Sequence, residues 1–217
     1  MKKALFFTIL FLFSFPLLCM GETAFEQGEQ LFLYNKPQEA KIKLEEALLK
    51  DSSNEKIYLY LGIVYEQLSE YTKAIDIMRN GLLVATTIKD LLYFNIGNNY
   101  FIQSDNILAE KNYTFAIAEN SAFADAYLNR ANTHVNLKHY QVAINDYKIY
   151  LRLKPAAPQR REIEKLIALL QESITEETDL LNNVLNNLNN ASLDTETISA
   201  GAEEFQDPED VDIDIEE

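Results

Sequence analysis

Cysteine occurs once in the 217 residues, at Cys19, and histidine only twice. A single cysteine excludes an intramolecular disulfide, so the fold must rest on packing. His134 and His139 stand five apart with no other soft ligand nearby, and that spacing does not make a metal site. Glycine is sparse as well: none of the six forms a phosphate-cradling loop, and no Ser or Cys nucleophile pattern appears. The sequence therefore reads as non-enzymatic, with no cofactor and no metal expected. Basic residues stop at Lys165, whereas Glu172 to Glu217 carries 15 acids. The net charge of −15 thus belongs to one end, because the remaining chain balances at 19 acids against 19 bases. A balanced body lacks the basic stripe that nucleic acid requires, and the acidic end would repel phosphates.

What is present is a repeat. Gly62 interrupts an apolar run of helical periodicity, Tyr58 to Tyr65. Glycine in that setting costs roughly 1 kcal/mol against alanine, so a packing reason is implied. Gly28, Gly62, Gly97 and Ala131 follow one another at spacings of 34, 35 and 34. The same spacing carries Ala40, Ala74, Ala109 and Ala143. It also carries Leu44, Met78, Tyr113 and Tyr147, and again Leu31, Tyr65, Tyr100 and His134. Four columns in register across four copies predict four stacked units, each unable to bury its apolar face alone. His134 falls in a packing column, which makes it core or seam rather than ligand.

The period and residue types resemble the tetratricopeptide repeat (TPR), with its W-x2-L-G-x2-Y, A-x3-F and terminal Pro. The second copy matches best, through Tyr58, Leu61-Gly62, Tyr65, Ala74 and Met78. The third gives Tyr93, Ile96-Gly97, Tyr100, Ala109 and Tyr113. The fourth gives Tyr127, Ala131, His134, Ala143, Tyr147 and Pro155, and the first is the weakest, with Ala24, Gly28, Leu31, Ala40 and Leu44. The resemblance implies an all-α, right-handed α-solenoid over residues 22–156, in copies of about 22–54, 55–88, 90–123 and 124–156. First helices are predicted near 22–33, 55–68, 90–103 and 124–137, and second helices near 37–49, 71–84, 106–119 and 140–153. The glycine column is expected to face the alanine column across each pair, and the extra residue of the 35 spacing to lie near 86–89.

The two ends read differently. Residues 1–21 have the pattern of a secretory signal peptide, with Lys2-Lys3 ahead of an apolar run from Leu5 to Leu18. That run is short of the ~20 apolar residues a spanning helix needs. Two readings of Cys19 stay open. Cleavage after Gly21 would release a periplasmic protein of bacterial type; lipidation of Cys19 would tether it to a membrane, although Leu17-Leu18 departs from the small residue such signals carry. Beyond Pro155-Ala156-Ala157-Pro158, residues 157–190 read as a capping, amphipathic helical segment, with Ser173-Ile174-Thr175-Glu176 resembling a capping box. Residues 191–217 lack periodicity and bases, and are expected to be a disordered acidic tail.

TPR arrays bind proteins, and the resemblance implies a groove lined by the first helices that holds a peptide or a partner helix. Carried onto this chain, the groove residues are Lys56 and Tyr60, then Asn95 and Asn98, then Asn129, Asn132 and Asn136. Asparagine amides both donate and accept, so a row of them suits a peptide backbone. The family's clamp for acidic carboxyl termini is not expected: Asn98 and Asn129 resemble its asparagines, but Phe94 and Ile163 stand where basic residues belong. The implied function is an interaction scaffold or adaptor of the bacterial envelope, with a protein or peptide partner, no nucleic acid, and membrane contact only through a lipidated Cys19. Two alternatives remain: a tethered lipoprotein with an assembly role, and a binder of an apolar small molecule or lipid on Tyr60, Phe94 and Phe101.

Overall fold

The computed structural model describes residues 22–194. The leader with Cys19, and the acidic segment from residue 195 onward, lie outside the described residues. Nine helices and no strand form among them. They are α1 (Ala24–Leu33), α2 (Pro37–Lys50), α3 (Glu55–Gln67), α4 (Tyr71–Val84), α5 (Lys89–Ile102), α6 (Asn106–Glu119), α7 (Ala124–Asn136), α8 (Tyr140–Leu153) and α9 (Arg160–Asp194). They fall into two compact units that divide between Gln103 and Ser104, α1–α5 in the first and α6–α9 in the second. In the first unit α1 pairs with α2 and α3 with α4; in the second α7 pairs with α8.

Local chemistry sets the helix ends. Thr23 and Glu26 close a capping box at α1, and the Glu26 carboxyl is held below its ordinary range by the Thr23 backbone and hydroxyl donors. Pro37 occupies the first turn of α2, where its missing N–H is no loss. Asn54 and Asp105 cap α3 and α6 through side-chain oxygens. After each first helix the chain turns at a residue with positive φ: Asn35, Ser69, Ser104 and Lys138. Around Ser69, Glu70 N–H reaches Tyr65 O and Ser69 N–H reaches Glu66 O, the paired bonds of a Schellman turn. These four positions again stand 34, 35 and 34 apart.

The extra residue of the third repeat lengthens α5 at its start, Lys89, so α5 has 14 residues where α3 and α7 have 13. The connection ahead of it is fastened by Glu55, whose carboxylate accepts from the Thr86 and Thr87 amides and the Thr87 hydroxyl. Those donors, led by the hydroxyl, hold its pKa down.

The glycine column is a close-approach column, but its partner differs from the expectation. A Cβ on Gly28 would lie 2.7 Å from Leu44 Cγ, and one on Gly62 would lie 2.5 Å from Met78 Cγ. The glycines therefore face the Leu44/Met78 column rather than the alanines one turn earlier. A further small column was not read from the sequence: Ala47, Gly81 and Ala116, all buried, with Tyr150 in the fourth copy. A Cβ on Gly81 would meet Tyr58 Cβ at 2.7 Å.

The segment after Pro158 is one helix. The Ser173–Glu176 capping box does not form, because the Ser173 and Thr175 hydroxyls donate back to the Leu169 and Gln171 carbonyls inside α9. Ile163, Ile167 and Leu170 bury against α8, and α9 then continues through Asp194.

Candidate partner-binding face

In the first unit the first helices adjoin one another, α1 against α3 and α3 against α5, while the backbones of α2 and α4 stay farther apart. Closer spacing of the first-helix layer makes it the inner side of this unit. On that layer Tyr60 of α3 is half-buried between two edge-on rings, Phe25 at 5.9 Å and Phe32 at 5.3 Å. Both distances suit favourable aromatic pairing. The Tyr60 hydroxyl bonds to Glu29, and this bond, aided by burial, raises its pKa. Lys56 stands exposed one turn earlier on α3. Phe25 also lines a cleft of about 380 Å³ with Ala24, Ala47 and Ile57, rimmed by Lys50 and Asp51.

The predicted asparagines are drawn into the fold's own hydrogen bonds. Asn95, half-buried on α5, donates to Leu91 O at 2.8 Å; Asn98 is half-buried on the same helix. In the second unit Asn129 is half-buried, and its carbonyl accepts from the Thr133 hydroxyl at 2.8 Å. Asn132 Oδ1 accepts from the Tyr147 hydroxyl at 2.7 Å. Exposed Asn136 donates to Asn106 Oδ1 at 3.1 Å. The structure thus assembles Phe25, Phe32 and Tyr60 into one feature, while Asn95, Asn132 and Asn136 spend amide atoms on internal partners.

The polar residues that matter most internally were not singled out from the sequence. Asn99, fully buried, donates to Glu66 at 2.6 Å and to Asn95 O at 2.8 Å. Burial pushes the Glu66 carboxyl up, and the Asn99 bond pulls it partly back. In the second unit Arg130 of α7 grips Asp146 of α8 through two bonds of 2.8 Å, and also donates to the Thr114 hydroxyl on α6. His134 Nε2 lies 3.9 Å from Asp146 Oδ2, and its buried Nδ1 has no hydrogen-bond partner among the described residues. Burial lowers the His134 pKa. As the sequence suggested, His134 is a core residue, 6% exposed. A signal existed: Arg130 and Asp146 occupy the positions of buried Leu61 and half-buried Ile77 in the second copy, so two apolar positions become charged together. Among the described residues no three His, Cys, Asp or Glu side chains gather as a metal site. No helix among them is long and apolar enough to cross a membrane.

Antiparallel helix pairs with a small residue at each crossing, repeated every 34 or 35 residues, define the TPR fold, and this chain has it. No family model matches the sequence, and no curated protein matches it either. Solved structures do match. A crystal structure of MamA is 22% identical and superposes with a TM-score of 0.62, covering 85% of this chain and 96% of that one. YrrB, described as a TPR protein with an unusual peptide-binding site, is 18% identical with a TM-score of 0.57, covering 69% of this chain and 76% of that one. The first TPR of Spaghetti (RPAP3), bound to the HSP90 peptide SRMEEVD, is 24% identical with a TM-score of 0.51, covering 58% and 96%.

Proposed function

We propose that the protein is a non-enzymatic interaction scaffold that holds a peptide or partner helix on the first-helix face of its TPR units. The observation that carries this reading is the half-buried Tyr60, set between Phe25 and Phe32 on the inner layer of the first unit with Lys56 exposed beside it. Rigid aromatic surface with a polar rim is the chemistry of binding hot spots. Solved structures of similar fold include one with a peptide bound and one described by its peptide-binding site. Asn98 belongs to the proposed face of the first unit, and Asn129 to the first-helix face of the second, each unit taken by itself.

The test is site-specific photocrosslinking in cells. A benzoylphenylalanine at position 60 is expected to trap a protein partner, whereas the same group at Asn80, exposed on α4, is not. Equal trapping at both positions, or none at position 60, would refute the assigned face. We further propose that the protein is exported and works in the bacterial envelope, on the strength of the leader pattern in residues 1–21. Mass spectrometry of the mature amino terminus decides between a soluble and a tethered form. A start at Glu22 makes it periplasmic, and an acylated start at Cys19 makes it a lipoprotein.

A further inference from the structure

Position 24 breaks the aromatic column of the repeats. Tyr58, Tyr93 and Tyr127 follow it at spacings of 34, 35 and 34, but the first copy has Ala24 there. The second copy shows what the ring occupies. Tyr58 is buried, and a Cβ on Gly81 would lie 2.7 Å from Tyr58 Cβ and 3.3 Å from Leu92 Cδ1. The Tyr58 hydroxyl reaches back to the preceding turn and donates to Ser52 O at 2.8 Å. In the first copy Gly81 and Leu92 correspond to Ala47 and Ile57. Those two residues form one buried cluster with Ala24, and the cleft of about 380 Å³ lies against all three. The cleft is the place of the missing ring. α1 also begins at Ala24 itself, whereas α3 begins at Glu55, ahead of Tyr58, so the first copy lacks that leading turn as well.

We infer that this cleft is a socket for a tyrosine side chain of the partner segment, an inference that rests on that segment lying along the first-helix face. The size fits. Ligand pockets begin at about 300 Å³, and an apolar cavity of about 150 Å³ already takes a benzene ring. The lining fits as well. Ala24, Ala47, Ile57 and the Phe25 ring give it apolar walls, and Lys50, Asp51 and Asn54 give it a polar rim. That rim offers donors and acceptors to a phenol hydroxyl and to the peptide groups beside it. Asp51 already accepts from the Ser53 amide and hydroxyl, and a carboxylate keeps further lone pairs for a hydroxyl donor. Phe25 joins the socket to the face, because the ring that lines the cleft also stands edge-on to Tyr60 at 5.9 Å. A segment held at Tyr60 is therefore one ring away from the socket. An aromatic anchor seated in a desolvated pocket is the kind of contact that dominates binding energy.

The experiment is methyl NMR on the full chain, with alanine and isoleucine methyl groups labelled. Two probes are added: p-cresol, which is the tyrosine side chain as a free molecule, and a short blocked peptide with one tyrosine among glycines. Both are expected to shift the Ala24, Ala47 and Ile57 signals saturably in the millimolar range, and the same peptide with alanine for tyrosine should not. Ala24→Tyr restores the tyrosine–alanine combination that the third copy has in Tyr93 and Ala116. It should raise the melting midpoint by roughly 2–4 °C and abolish both responses. Ala47→Leu, which fills the socket from α2, should abolish them too. No shift at the three methyls, or a shift that survives Ala24→Tyr, would overturn the inference. So would binding of p-cresol without the peptide, which would make the cleft a site for free phenols. A raised midpoint in Ala24→Tyr with no response to either probe would also overturn it, because the socket would then take only a ring of its own chain. The face is tested apart from the socket. Partner trapping at position 60 without probe binding would refute the socket alone. Probe binding without trapping would refute the face, and with it the partner segment as source of the ring.

Discussion

Arg130 and Asp146 meet in two parallel hydrogen bonds of 2.8 Å, sixteen residues apart in sequence and on the facing helices of the fourth pair. Asp146 is 2% exposed, so this is a buried ion pair rather than a surface one. Such a pair contributes little net stability when intact, but losing one member strands the other charge. Asp146→Ala is therefore expected to cost about 3–5 kcal/mol. Replacing both by the residues of the second copy, Arg130→Leu with Asp146→Ile, should return the chain near or above wild-type stability. Urea denaturation of the three variants decides it. A double variant as unstable as the single one would mean that the ion pair itself carries the fold.

His134 sits beside this pair, buried, with a lowered pKa. A group that is harder to protonate when folded than when unfolded makes stability rise with pH across the interval between its two pKa values. The unfolded value is about 6.5, so stability should be full above that and fall as pH drops through it toward the depressed folded value. Glu66 works in the opposite sense, since burial raises its pKa and lower pH relieves it. The His134 contribution is isolated by comparing wild type with His134→Gln. The wild-type melting temperature is expected to drop more than the variant's between pH 7 and pH 5, and parallel curves would remove His134 as the cause.

How legible these features are in the sequence depends on how often they recur. Gly62, Met78 and their equivalents are solved afresh in every copy, so they surface as columns, and the helix bounds follow within a few residues. The left-handed turn residues and the Ala47/Gly81/Ala116 column have the same period and were readable by the same test. Periodicity says which residues repeat, not which touch, and so it pairs Gly62 with Ala74 although Met78 is the residue in contact. Arg130 and Asp146 occur once. Their only trace is a charged residue at each of two positions that are apolar in the second copy, Leu61 and Ile77, which means something only once α7 and α8 are known to face each other. The asparagines are hard to sort for a related reason: an exposed amide and one bonded to Tyr147 look alike in sequence.

Gly62 gives a direct measure of how tight the crossing is. A methyl there would stand 2.4 Å from Met78 Cε and 2.5 Å from Cγ, and Met78 is fully buried. Gly62→Ala gains up to about 1 kcal/mol of helix propensity but overpacks the pair by about 1–3 kcal/mol, so net loss is expected. In a Met78→Ala background the clash is gone and only the propensity remains, so the same substitution should stabilise. A double-mutant cycle by chemical denaturation reads the coupling. If Gly62→Ala has the same effect in both backgrounds, the glycine column does not exist to admit its third-column partner.

Asn132 links the fold to the proposed binding face. Its Oδ1 is the acceptor for the Tyr147 hydroxyl, and Tyr147 is 1% exposed, with burial pushing its pKa up to about 12. Asn132→Ala therefore leaves a buried hydroxyl without this partner and should cost about 1–3 kcal/mol. Lost partner capture by that variant would not by itself show that Asn132 touches the partner. Asn132→Ala combined with Tyr147→Phe removes both halves of the bond, and the stability loss should shrink to well under that of the single variant. Partner capture measured on the double variant at matched folded fraction then separates the roles. Capture restored to wild type would make Asn132 a positioning residue for Tyr147. Capture still reduced, with the melting temperature recovered, would place Asn132 on the recognition surface.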